Sequence, residues 1–245
     1  MTELIRAQHH GNVLSLTLNR SAQKNALSIK LLRELCESLS SEVADDSIAV
    51  IISGTGGCFS AGADLSDLKG NIEDLAVDDA VAEAVQAIRS THVPVIAAID
   101  GPCLGAAVDL CLACDLRVAS ADAYFQIPAT RLGLLYNPAA VSRIAELTPP
   151  DTLFRLLVLG EKFEAEEAYR VGLLSYTVSV GASREAAIAI AQATSANVPV
   201  AVAASKGLLN ALQNGDYDAN YWNEVRNNIL ASPQRRAAVD NAKNH

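Results

Sequence analysis

Positive charge is scarce in this sequence. Lys and Arg number 19 against 28 Asp and Glu, a formal net charge of −9. A surface of that sign repels phosphate backbones and anionic lipid, so neither nucleic acid nor a membrane is an expected partner. A long hydrophobic run is also lacking. The most apolar stretch, Val93 to Leu116, is cut by Asp100, Gly101, Pro102 and Asp109 and does not qualify as a span. The opening residues, Met1-Thr2-Glu3, show neither the basic nor the apolar region of a secretory signal. Cysteines are few and odd in number (Cys36, Cys58, Cys103, Cys111 and Cys114), which fits a reducing cytoplasm and no disulfide framework. Cys111 and Cys114 form a C-x-x-C, but no second pair or histidine cluster completes a zinc site, so no metal is expected. Glycine and proline, 14 and 8 residues, are too sparse for a linker or collagen-like chain. What is present is apolar: half of 245 residues, enough for one large core or two small ones.

The pattern along the chain is that of an α/β body followed by a helical C-terminal third. Two strands are expected in the first twenty residues, the second carried by Val13, Leu14, Leu16 and Leu18 after the turn dipeptide Gly11-Asn12. Ser28 is placed to cap a helix whose Leu31, Leu32, Leu35, Cys36 and Leu39 keep helical spacing. Ile48 to Ile52, Pro94 to Ile99, Arg117 to Ala119 and Ala123 to Ile127 read as further strands. The acidic stretch from Asp64 to Glu83 reads as a solvated connection, ahead of a helix with Val81, Ala84, Val85 and Ile88 on one face. Pro149-Pro150-Asp151 opens a helix that stops at Gly160, and another spans Glu164 to Val171. A strand follows from Ser175 to Val180, then helices from Ser183 onward and a polar tail after Pro233 that is expected to fray.

Three segments carry chemistry. The glycine-rich run from Gly54 to Leu65 matches no dinucleotide fingerprint, P-loop or nucleophile elbow, because Phe59, the missing Gly-Lys-Ser/Thr and Cys58 break them in turn. It leaves a tight turn with backbone N–H groups near Ala61 to Asp64. The second segment, Asp100 to Asp115, places the small residues Gly105, Ala106 and Ala107 at a helix start, where first-turn N–H groups lack internal partners. Asp109 stands three residues after Ala106, inside an apolar run, and a buried carboxylate there is either functional or paired with Arg or a backbone donor. The third, Leu18 to Leu27, holds Arg20 and Lys24 between a strand and a helix, as anion-binding residues or as ordinary loop cations.

In this order and spacing, Leu18 to Leu27, Phe59-Ser-Ala-Gly-Ala-Asp-Leu65 and Asp100-Gly101 through Arg117 resemble the crotonase (enoyl-CoA hydratase/isomerase) superfamily over residues 3 to 215. The resemblance implies a spiral of ββα units over residues 1–190. Residues 191–245 would form a helical region used in trimerisation, in trimers or hexamers. It implies an acyl-CoA thioester as substrate, coenzyme A being part of that substrate and no separate cofactor being needed. The N–H groups of Ala63 and Ala106 would hold the thioester oxygen, and Asp109 would transfer the proton. Arg20 and Lys24 would face the CoA phosphates, and the backbone around Ala61, Asp64 and Leu65 its adenine end.

The acid–base positions depart from the hydratase pattern. One Glu of that pattern is Asp109 here, shorter by one methylene. The other, in a Pro-Glu step, is replaced in Pro128-Ala129. Dienoyl-CoA isomerases of the superfamily resemble this chain at Val108-Asp109-Leu110 but carry acids where this sequence has Ala129 and Asn137. Asn137 is therefore either a substrate hydrogen-bonding group or part of an ordinary Asn-Pro turn. Tyr136-Asn-Pro-Ala-Ala140 replaces the usual glycine-rich segment and is expected to reshape the pocket wall. An acyl-CoA enzyme using one carboxylate is the expectation, and a non-catalytic acyl-CoA-binding homologue the alternative.

Overall fold

A computed structural model describes residues 3–243. Gly11, at φ 60°, reverses the chain between β1 (Ile5–His10) and β2 (Val13–Leu18). The antiparallel register sets Ile5 opposite Leu18 and His10 opposite Val13. Helix α1 (Ile29–Ser41) starts where the Ser28 hydroxyl accepts from the Leu31 N–H at 3.2 Å, and it buries Leu31, Leu32, Leu35 and Leu39. Strands β3 (Ala49–Gly54), β4 (Val95–Ile99), β6 (Leu116–Ser120) and β9 (Tyr176–Val178) then add in parallel, giving the order β1-β2-β3-β4-β6-β9. A second sheet is built from β5 (Pro102–Leu104), β7 (Tyr124–Gln126) and β8 (Phe163–Glu164).

The two sheets are linked turn by turn. β4 runs on into β5, β6 runs on into β7, and the segment after β3 reaches the second sheet where Ser60 bridges Cys103. Each step of the spiral therefore ends at the same side of the molecule. The inner strands are buried on both faces, as parallel strands between helices must be. One face, with Leu14, Leu16, Val50, Ile52, Val95 and Ala97, joins the larger core under α1 and α2 (Leu75–Ser90). The alternate residues Val13, Ala49, Ile51, Ile96, Ala98 and Val118 pack beneath Ala187 and Ala191 of α7 (Ser183–Ala193).

Four expectations are corrected. The acidic connection is ordered: Asp74 accepts from the N–H groups of Lys69 and Gly70, and α2 begins at Leu75, two turns before Val81. Asn137-Pro138 is a helix start rather than a turn, because Asn137 caps α4 (Pro138–Leu147) and Pro138 occupies its first position, where no N–H is needed. The tail after Pro233 is helical. Position 190 lies inside α7 rather than at a boundary.

Helices α3 (Ala106–Leu112), α5 (Pro150–Leu157) and α6 (Ala165–Arg170) complete the body. α8 (Pro199–Asn214) is tied to it by buried Lys206, whose Nζ donates to Val93 O at 2.9 Å and pairs with Asp115 at 2.8 Å. α9 (Ala219–Ala231) and α10 (Pro233–Lys243) bury no side chain. No single helix among the described residues is long and apolar enough to cross a membrane.

Candidate active site

The turn after β3 is held by buried side chains that are themselves hydrogen-bonded. Asn25 donates to Thr55 O and Cys58 O at 2.9 and 2.7 Å, and its own carbonyl accepts from the Ser60 hydroxyl at 2.7 Å. Ser60 Oγ in turn accepts from Gly62 N–H at 3.1 Å, so this fully buried hydroxyl is structural and not a nucleophile. Gly62, at φ +88°, lies against β5: a Cβ there would be 2.5 Å from Leu104 O and 3.5 Å from Ala106 N. Only glycine permits that approach. It sets Ala63 beside the start of α3, and among the described residues the N–H groups of Ala63 and Ala106 donate to no other group. Two backbone donors from separate turns of the spiral thus border one cavity.

That cavity, about 40 Å³, has three helical walls. α2 supplies Val77, Asp78, Val81 and Ala82, α3 supplies Ala106 and Asp109, and α4 with its lead-in supplies Tyr136, Asn137, Ala140 and Arg143. Asp109 is only 2% exposed. Its two oxygens accept from Arg143 Nε at 2.9 Å and Nη2 at 2.7 Å, a bidentate pair. The arginine partner foreseen as one alternative for Asp109 is therefore present. A buried carboxylate signalled the need for one, but the topology that brings α4 over α3 had to be seen before Arg143 could be named.

Tyr136 donates to Gly105 O at 3.0 Å, bracing the residue before Ala106. Burial pushes its phenol well up, and the nearby Asp109 carboxylate adds to this, so Tyr136 stays a neutral donor. Asn137 accepts from Ala139 N at 2.9 Å and Ala140 N at 3.3 Å. Its capping role accounts for its carbonyl, while the side chain still borders the cavity. Ala129 is buried outside the cavity lining. Asp78, assigned from sequence to a solvated stretch, faces inward. Burial pushes its carboxyl up, hydrogen bonding to Asn137 works against this, and the charges of Asp79, Asp109 and Asp74 push it further up. The sequence signal for its placement was the apolar pair Val77 and Val81, which puts positions 78 and 82 at the edge of the buried stripe.

The cationic loop divides in two. Arg20 turns inward, donating to Asp64 at 2.7 Å and to Ala26 O at 2.7 Å. It is a pairing residue of the loop, not a free cation. Burial pushes the Asp64 carboxyl up, but hydrogen bonds from Ser66 and the Arg20 guanidinium outweigh this and hold it below the usual range. Lys24 is exposed and has no ion pair among the described residues. The N–H groups of Ala61 and Asp64 are committed to Lys24 O and Leu27 O, whereas Leu65 stands 70% exposed at the rim.

Residues 8–237 match the sequence profile of the enoyl-CoA hydratase/isomerase family. The chain belongs to that family. It is 32% identical over 214 residues to the 2,3-dehydroadipyl-CoA hydratase of Escherichia coli, covering 87% of this chain and 84% of the relative. It is 33% identical to the human mitochondrial Delta(3,5)-Delta(2,4)-dienoyl-CoA isomerase, covering 89% and 72%. The crystal structure of enoyl-CoA hydratase from Bacillus anthracis superposes with a TM-score of 0.87 at 30% identity, covering 98% and 96%. The two-sheet spiral is accordingly the crotonase fold, and this enoyl-CoA hydratase/isomerase family member has relatives named for both water addition and double-bond migration.

Proposed function

We propose that this family member binds an acyl-CoA thioester with its carbonyl oxygen between the N–H groups of Ala63 and Ala106, and that Asp109 transfers a proton on the enolate so formed. The observation that carries the reading is the pair of undonated N–H groups brought to one cavity by the Gly62–Leu104 contact, with a carboxylate one helical turn beyond. Such donors, fixed where negative charge develops, are worth about 2.7–4 kcal/mol each. In a double-bond shift, the carboxylate takes the proton from the α carbon and the electron pair moves to the thioester oxygen. Return of the proton at the γ carbon completes the isomerisation. Lys24 lies toward the CoA phosphates, Leu65 and the Ala61 carbonyl toward the adenine end. No further cofactor takes part.

Exposed Leu135, Phe154 and Leu159, together with helices α9 and α10 that bury none of their own side chains in the single chain, support a homo-oligomer, a trimer or a hexamer. Five free thiols suit a reducing cytoplasm, and the substrate class suits fatty-acid metabolism. The test is turnover of short, medium and long 2-enoyl-, 3-enoyl- and dienoyl-CoA esters by the native protein and by Asp109→Asn. Loss of about 10²–10⁴-fold in the variant supports the assignment, and unchanged turnover refutes it. A second reading, acyl-CoA binding without chemistry, is favoured by Arg143, which already engages both Asp109 oxygens, and by Ala129. Tight binding across the same panel with no product selects it.

A further inference from the structure

Ala129 removes one of the two acids usual in this family and Arg143 pairs with the other, Asp109, and the cavity contains a further carboxylate from an unexpected element. Asp78 projects from the first turn of α2 into the same cavity as Ala63, Ala106 and Asp109. Its neighbours on the buried side, Val77 and Val81, dock α2 against the core and fix which way position 78 points. The charged and titratable groups around it are Asp109 on α3, Arg143 and Tyr136 from the α4 side, and Asp74 and Asp79 at its own helix end. Arg143 is held by Asp109, and among the described residues no arginine or lysine pairs with Asp78. Asn137, whose side-chain carbonyl caps α4, lines the cavity with it.

We propose that Asp78 is the second proton-carrying group of this site, taking from the α2 wall the role that Ala129 cannot fill. The inference rests on the enolate reading above. An unpaired, partly buried carboxylate lining the same cavity as Asp109 is held above the usual carboxylate range by burial and by its acidic neighbours, which favours the protonated form a donor needs. The cycle balances with two carboxyl groups. Asp109 accepts the α proton: the C–H bond breaks, an O–H bond forms, and the electron pair moves to the thioester oxygen. Asp78 then donates its proton to the γ carbon, the O–H pair remaining on its carboxylate. The cycle closes when product leaves and admits water to the cavity: Asp109 gives its proton to that water, and partly exposed Asp78 takes one up from solvent. No oxidant, reductant or metal is needed.

The test compares native protein with Asp78→Asn, Asp78→Glu and Asp79→Asn, the last an exposed neighbour on the same helix. Two measurements are made: kcat and KM over the enoyl-CoA panel between pH 5 and 9, and deuterium incorporation into the acyl chain in D₂O, followed by NMR. Asp78→Asn is expected to lose about 10²-fold or more in kcat with KM little changed, and to lose one limb of the pH profile. Deuterium delivery at the γ carbon should fall in parallel. Asp78→Glu should recover part of kcat, and Asp79→Asn should keep native kcat while moving that limb to lower pH, since it removes one charge that holds the Asp78 carboxyl up. Native activity with Asp78→Asn within about threefold, or with an unaltered pH profile, overturns the role of Asp78 while leaving the enolate reading intact. A native protein that neither turns over nor exchanges any ester overturns both.

Discussion

Replacing Gly62 by alanine tests the geometry on which catalysis depends. The new Cβ would meet Leu104 O at 2.5 Å, so one backbone segment must move by about 0.9 Å to reach ordinary contact at 3.4 Å. Leu104 O is a main-chain atom and a Cβ is fixed rigidly to its own main chain, which leaves no flexible side chain to absorb the shift. The residue that moves is bonded to Ala63, and the segment it moves against ends at Ala106. A displacement of about 1 Å at a reacting centre costs roughly 10²-fold in rate, and losing one oxyanion donor about 10²–10³-fold. Alanine at φ +88° adds about 1–3 kcal/mol of backbone strain, or some 2–4 °C of melting temperature per kcal/mol for a chain of this size.

Strain and clash are separable because Gly11 also sits at positive φ, 60°, with nothing within 4 Å of its Cβ position. Gly11→Ala should therefore show a comparable loss of stability with native kcat and KM. Gly62→Ala should lose about 10²-fold in kcat with a modest change in KM. Steady-state kinetics and thermal unfolding of the two variants decide the matter. Turnover by Gly62→Ala within about fivefold of native would refute the idea that these two N–H groups hold the developing charge.

Other consequences are equally concrete. Arg143→Ala strands the buried Asp109 carboxylate and should destabilise the fold by about 3–5 kcal/mol in urea unfolding; a loss below about 1 kcal/mol contradicts the bidentate pair. The Asp64 carboxyl titrates below its unfolded value of about 3.9, so its contribution is fully present above that pH and is lost as pH falls through the folded value. Asp64→Asn should accordingly flatten the acid limb of stability below about pH 4, and an unchanged limb would count against the Arg20 and Ser66 contacts. Lys206→Met should loosen α8 and cost about 1.5–3 kcal/mol, measured by thermal unfolding with hydrogen exchange across residues 199–214.

How much of this was visible in the sequence follows from the range of the forces involved. β2, α1 and the strand from Val95 to Ile99 were legible because periodicity and a serine cap act within a few residues. The tight turn near Ala61 to Asp64 and the small-residue helix start at Gly105 to Ala107 were legible for the same reason, while the choice of Ala63 and Ala106 within them came from the family resemblance. α4 was hidden because Asn-Pro serves equally as turn and as capped helix start, and only the following residues' packing on α3 decides between them. The pairing of Arg143 with Asp109 spans 34 positions, and the inward aim of Asp78 depends on how α2 docks. Arg20 looked like a ligand for phosphate, but its partner lies 44 residues on, at Asp64. Charge counts show that a cation exists; only the fold shows which anion it meets.

The most direct test is a crystal structure with an acyl-CoA ester bound. The thioester oxygen should lie about 2.7–3.1 Å from both Ala63 N and Ala106 N, with the acyl carbons beside Asp109 and Asp78. An ester bound with that oxygen out of reach of either amide would contradict the account.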